Sequence, residues 1–398
     1  MVGRLSILVE NRNAFLVLVT LISGAKIVLS GIVPASFDLR EIVTLIQSAH
    51  ASLGPWISLY PSLYNHASNA TVTEQWLLNG PGNSDLTLQL ISLSVRLPLF
   101  FLDLAILLAL CYVGRSLGSV TSGRLAGLIW FANPYSLFGI ELLGVPDVLA
   151  VFLFVASIAM LLHKRAILSS VLLALGVWVK FFPILLLPAL LLYQAKSNAS
   201  RRTMIITTLL TFVGLAGYLQ WTFPSSHLFL TAYSPVAQPF PFIAGEVAIN
   251  GSAFVLILFY CLMISFAKNA RNLIALLLPS LLVYYAVSNP APQYLVWAAP
   301  LMALDVAIVN RSRSALLAIF YVLAFTNWFF SSSAFLTPSG YSLLMFPLGS
   351  DNLPSFSLAI TRLLDNSAII NMLVPLISSA LYACFLAYAI DVARTWFQ

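Results

Sequence analysis

Apolar runs long enough to cross a bilayer, or nearly so, recur along the whole chain. A helix needs about 20 residues to traverse the hydrocarbon, and shorter ones persist only when packed among others. By that measure helices are expected at 13–33, 87–114, 125–141, 146–162, 166–180, 181–195, 203–222, 250–267, 272–288, 291–309, 315–334 and 368–390. The reading is an all-α polytopic membrane protein, a bundle of about 12 transmembrane helices. Between the first two runs lies a longer segment with a different pattern. Ile42, Leu45, Ile46, Ala49 and Leu53 recur at helical spacing, so residues 39–53 are expected to form an amphipathic helix lying flat on the membrane.

Composition agrees with the pattern: 60% of residues are hydrophobic and 8% charged, where soluble domains carry roughly a quarter charged. No stretch is polar or Pro/Gly-dense enough to serve as a linker, so residues 1–398 read as one domain. Cys111, Cys261 and Cys384 fall inside apolar runs without CxxC spacing, which supports neither a disulfide framework nor a metal site. The first run lacks an A-x-A-like cleavage site and reads as a retained anchor.

A net charge of +6 raises the question of nucleic acid, but the distribution answers it otherwise. Arg4 and Arg12, Arg115 and Arg124, Lys164 and Arg165, Lys196 with Arg201 and Arg202, Lys268 and Arg271, Arg311 and Arg313, and Arg394 all fall at alternate helix ends. This positive-inside pattern places both termini in the cytoplasm and needs no nucleic-acid partner. The long segments 34–86, 223–249 and 335–367 then lie outside with most of the acids, among them Asp38, Glu41, Glu246 and Asp351. Chemistry is expected at the outer leaflet.

Asp38 stands just after the first helix, in the stretch SFDLRE (36–41). Two readings are open for it. With Glu41 three residues on, Asp38 makes a capping-box-like helix start; as a carboxylate at headgroup depth, it is equally placed to act on a substrate.

Five stretches in order bear on that choice: SFDLREIVTLIQSAHASLGPW from residue 36, RLPLFFLDLAILLALCYVGR (96–115), NPYSLFGIELLGVPDVLAVFL (133–153), VKFFPILLLPALLL (179–192) and NPAPQYLVWAAPLMAL (289–304). Together they resemble the integral-membrane glycosyltransferases of the GT-C type that use polyprenyl-phosphate sugars, especially the GPI mannosyltransferase 1 group and related archaeal and bacterial polyprenol-phosphate-mannose-dependent α-mannosyltransferases. The resemblance implies a GT-C-like bundle, a donor such as dolichyl-phosphate-mannose held by its lipid, a lipid-linked or glycan acceptor, and Asp38 as the catalytic acid of the first outer loop. A carboxylate there suits general-base work on an acceptor hydroxyl. There is one departure. Ser36 stands where the mannosyltransferase group carries the first acid of a D-x-D pair, so no cofactor is assigned and a divalent metal loses its usual second ligand.

The leaving phosphate calls for a cation. Arg96 and Lys180 are the candidates, Lys180 against the ordinary alternative of a snorkelling anchor and Arg96 as a charge within a span, where burial demands a partner or a function. Asp103, seven residues after Arg96 and near the same helical face, is expected to be its structural partner. In ELLGVPD, Asp147 follows Pro146 and either biases a helix start or touches the donor, with Glu141 the weaker candidate. Gln293 and Tyr294 open the run after SNPAP; the resemblance favours them for sugar or phosphate, whereas Tyr294 and Trp297 on pattern alone read as interfacial belt residues. His50, His66 and His227 have no ligand spacing, and no metal site is assigned. Two other classes keep the spans, a multi-pass transporter and a noncatalytic lipid-binding subunit. The first should accumulate substrate in sealed vesicles, and the second should show no activity without a partner.

Overall fold

The computed structural model describes residues 2–32, 86–137, 140, 147–180, 182–194, 198–222, 241–244, 247–266, 273–287, 292–309, 313–330 and 368–394. The protein is almost entirely helical. Helices α1 (Val2–Glu10) and α2 (Arg12–Ile32) are separated at Asn11. Its Oδ1 accepts the backbone N–H groups of Asn13, at 2.8 Å, and Ala14, an N-cap that restarts the helix. There follow α3 (Leu86–Leu117), α4 (Val120–Phe131), α5 (Asp147–Leu162), α6 (Ala166–Val179), α7 (Leu187–Tyr193) and α8 (Asn198–Thr222). A short antiparallel hairpin, β1 (Pro241–Ala244) with β2 (Val247–Asn250), pairs Phe242 with Ile249 and leads into α9 (Gly251–Phe266). The chain continues through α10 (Leu273–Val287), α11 (Ala299–Leu304), α12 (Ser314–Phe330) and α13 (Ala368–Ala393).

Each apolar run contains a described helical segment, but three expected continuous helices are interrupted. Residues 125–141 stop being α-helical at Phe131 because Pro134 disfavours helical backbone at Asn133; a single turn, Pro134–Ser136, follows. The run 181–195 begins as a 3-10 turn, Phe182–Leu186, before α7. The run 291–309 is a 3-10 segment (Pro292–Trp297), then α11, then a turn of π-helix (Asp305–Val309).

Helix α10 is buried on every side and is the centre of the core: Leu273 to Leu278, Leu281 and Leu282 have no exposed surface. A helix apolar all round is stable in a protein core or in lipid, and here the core takes it. Around it α7, α9 and α13 pack directly. The periphery is apolar as well, with Val17 and Leu21 on α2, Phe101 and Leu108 on α3, and Leu209 and Leu210 on α8 turned outward. Six charged side chains, Lys26, Arg96, Asp103, Asp147, Asp305 and Arg313, are nonetheless buried. Among the described residues two segments, Arg12–Ser30 and Arg96–Leu117, are long and apolar enough to cross a membrane.

Helices α3 and α4 pack closely. A Cβ on Gly123 would lie 2.2 Å from Cys111 O, and one on Gly127 would lie 2.8 Å from Cys111 Sγ. The spacing Gly123-x-x-x-Gly127 puts both on one face of α4, where backbones can meet. Gly123→Ala is expected to destabilise the protein by about 1 to 3 kcal/mol through overpacking, read as a lower melting temperature in detergent. Gly118→Ala, whose nearest contacts would be 3.4 Å, should change little; equal melting of the two variants would remove the close-packing explanation.

Ionic clusters around buried side chains tie helices together. Lys26 Nζ of α2 lies 2.5 Å from Asp103 Oδ2 of α3, 3.4 Å from Ser136 Oγ and 4.5 Å above the Phe131 ring. Asp103, expected opposite Arg96, therefore balances Lys26. A residue seven positions along its own helix lies about 10 Å away by axial rise, whereas α2 brings a cation into contact. In the second cluster Arg313 bonds Asp305 Oδ1 and Asp391 Oδ2, each at 2.7 Å, while Tyr388 donates its hydroxyl to Asp305 Oδ2 at 2.9 Å. Arg313, expected as a charge at an aqueous helix end, instead fastens α13 to the π-helical turn.

Candidate functional site

Three chain segments converge on one carboxylate. Asp147 is the first residue of α5. Lys180 ends α6 in extended backbone, φ −154° and ψ 139°, with its N–H still bonded to Gly176 O at 2.9 Å. The extended residue releases the chain into the Phe182–Leu186 turn, which folds back on α6. Gly176 allows that return, since a Cβ there would meet Pro183 Cγ at 3.3 Å.

The Lys180 ammonium reaches Asp147 Oδ1 at 3.2 Å. The other oxygen, Oδ2, accepts the indole N–H of Trp297 at 2.8 Å. Asp147 is thus engaged through both oxygens, and its side chain is 2% exposed against 19% for Lys180. Trp297 ends the Pro292–Trp297 segment and stacks on Phe182, with centroids 4.4 Å apart and planes at 10°. Phe154 of α5 meets the same Phe182 edge-on at 5.7 Å. From the far side, Tyr260 of α9 donates to Leu185 O at 2.7 Å. An aromatic stack therefore braces a buried carboxylate, and the carboxylate holds a lysine whose side chain is partly exposed. Such a lysine is a candidate anion ligand. The partner neutralises its charge in the resting protein, and an ammonium has three donors to share.

The expected site residues are distributed as follows. Asp147 and Lys180 are brought into direct contact. Gln293 and Tyr294 belong to the same 3-10 segment as Trp297, which places their backbone beside α5. Arg96 is 1% exposed: its Nη1 donates to Ser30 O of α2 at 2.7 Å, and with Ile27, Leu97 and Phe100 it lines a narrow cleft between α2 and α3. Asp38 lies outside the described residues, as do Glu41, Glu141, His50, His66 and His227. Among the described residues no group of three or more His, Cys, Asp or Glu side chains is arranged to hold a metal ion.

Two residues have roles that their sequence patterns hid. Trp297, which reads as a belt residue at an interface, is fully buried and is a hydrogen-bond donor to Asp147. Lys26 sits unmarked within the first apolar run. The signal was available there, because a lysine in the middle of a span requires a partner, and Asp103 is an acid in the middle of the next. Comparisons of the chain with models of protein families, with curated proteins and with solved structures find no match.

Proposed function

We propose that the protein is a multi-pass integral-membrane glycosyltransferase of the GT-C type, with both termini cytoplasmic and the active site on the outer or lumenal side. It moves a sugar, most simply mannose, from a polyprenyl (dolichyl) phosphate to a lipid-linked or glycolipid acceptor. The observation that carries this reading is the Lys180 ammonium held at a junction of interrupted helices by Asp147 and Trp297. Irregular backbone at membrane depth is tolerated where it is buried in protein or lines a cavity. A partly accessible cation beside it suits the phosphate of a lipid-linked donor. The exposed apolar side chains on α2, α3 and α8 and the buried charges among the helices support immersion of the bundle in lipid.

In this reading Asp38 takes the proton of the acceptor hydroxyl as its oxygen attacks the anomeric carbon. The bond from that carbon to the phosphate oxygen breaks on the opposite face, so a β-linked donor gives an α-linked product by inversion. Lys180 stabilises the charge that grows on the departing phosphate. Asp147 positions Lys180, Arg96 is the second cation for donor phosphate, and Gln293 and Tyr294 bind sugar or phosphate.

The test uses purified protein, labelled polyprenyl-phosphate-mannose and native lipid extract. Transfer of label to an acceptor lipid supports the reading. Substrate accumulation in sealed vesicles without consumption of donor would replace it with a transporter. To isolate the donor contact, Lys180→Met should be paired with Asp147→Asn, because removing the lysine alone leaves a buried carboxylate uncompensated. The double variant is expected to fold as wild type and to lose about tenfold to a hundredfold in use of the donor, the worth of one charge-assisted bond of about 1.5 to 3 kcal/mol. Wild-type donor kinetics in that variant would take Lys180 out of the site.

A further inference from the structure

At the other end of α5 the chain adopts a backbone conformation that its side chain does not favour. Lys164 has φ 62°, in the left-handed region where a residue with a Cβ is disfavoured and glycine is the usual occupant. The surrounding bonds explain the geometry: Lys164 N–H reaches Leu161 O and Arg165 N–H reaches Met160 O, both at 2.9 Å. These are the two bonds of a Schellman turn, with Lys164 at the position that glycine fills in most helix ends. A strained residue held by its surroundings is a reason to ask what its side chain supplies.

Its neighbours supply the answer. His163, Lys164 and Arg165 are all exposed. His163 stacks on Tyr112 of α3, centroids 4.4 Å apart and planes at 14°. Three residues beyond Tyr112, on the same helical face, is the exposed Arg115. The stack therefore brings the C-terminal ends of α3 and α5 together and gathers Arg115, Lys164 and Arg165 at one end of the bundle. Among the described residues none of these three cations has a carboxylate partner. Attraction to the helix dipole accounts for one cation in a last turn, but not for three on two helices, nor for a lysine where glycine would relieve the backbone.

We infer that Arg115, Lys164 and Arg165 form a binding patch for the phosphate headgroups of anionic phospholipids in the cytoplasmic leaflet, opposite the proposed donor site. The membrane is the occupant that fits, because α3 and α5 end here with apolar surface behind them. Leu108 on α3 is 60% exposed and Ile167, two residues past Arg165, is 61% exposed. A lipid can lay its chains on these side chains while its phosphate meets the cations. The inference rests on the membrane reading of these helices and is independent of any sugar transfer.

The experiment reconstitutes the full chain into vesicles of mixed phosphatidylglycerol and phosphatidylcholine, extracts it gently and quantifies the lipids that remain bound. Wild-type protein is expected to retain phosphatidylglycerol in excess of its share. Each cation removed should lower that preference about fivefold, and Arg115→Gln with Lys164→Gln and Arg165→Gln together on the order of a hundredfold. Lys164→Gly separates charge from backbone: it should raise the melting temperature in zwitterionic detergent while lowering the preference for phosphatidylglycerol. An unchanged preference in Lys164→Gly and in the triple variant overturns the inference. So does full competition by inorganic phosphate, which would make the patch a site for free anions. Failure to float with pure phosphatidylcholine vesicles would instead count against the membrane reading itself.

Discussion

Asp38→Asn is expected to lower sugar transfer by about a hundredfold to ten-thousandfold, the usual worth of a general base, while the protein remains folded and inserted. Asparagine keeps the size of the side chain and caps a helix about as well as aspartate, but its amide cannot accept the acceptor's proton. The substitution therefore separates the two readings of SFDLRE. A capping residue would make Asp38→Asn nearly silent and Asp38→Ala costly by about 1 kcal/mol; a general base makes both variants slow. Donor binding should change little in either, since the phosphate is assigned to cations on other segments. The measurement is the rate of label transfer at saturating donor, alongside melting in detergent. Transfer at the wild-type rate in Asp38→Asn would return the residue to the helix cap.

Lys26→Met is expected to destabilise the protein by about 3 to 5 kcal/mol, because it strands the Asp103 carboxylate, which has no exposed surface. Lys26→Met combined with Asp103→Leu should recover most of that loss. Two charges withdrawn from water carry a desolvation penalty that their attraction only partly offsets, and apolar residues of similar volume often do as well. The thermal stability of the wild type, both single variants and the double variant closes a mutant cycle. A double variant as unstable as the singles would mean that the pair is needed for a polar arrangement reaching Ser136 and Phe131, beyond neutralisation of charge.

The helices were legible because each is an apolar run with polar punctuation, and length against bilayer thickness is a strong signal. Their interruptions were less so. Whether 181–195 is one helix or a 3-10 turn followed by α7 depends on the chain after Lys180 turning back so that Pro183 packs on Gly176, seven residues earlier, a change of direction that apolar periodicity does not encode. The same holds for the site. Lys180 and Asp147 could each be suspected from its own helix end, yet their pairing follows from the antiparallel return of α6 on α5. Trp297 was hidden because burial and interfacial exposure produce the same apolar neighbours in sequence. Arg313 shows the converse limit, since a basic residue at a helix end looks alike whether it meets water or two carboxylates.

The Lys26–Asp103 pair has a consequence for biosynthesis. The partners are 77 residues apart, and chains elongate at about 5 to 20 residues per second. Lys26 therefore leaves the ribosome roughly 4 to 15 s before the carboxylate that neutralises it. In a bilayer a mid-helix lysine raises the insertion free energy by about 2.5 to 3.5 kcal/mol, and α2 has little else to hold it, with 17% of its apolar window buried in the finished fold. On the proposed membrane reading, α2 during that interval is expected to be prone to slip back through the translocon or to be seized by quality control. On the same reading its secure residence in the bilayer begins when α3 arrives, and α2 and α3 are expected to enter as one hairpin whose latch is electrostatic.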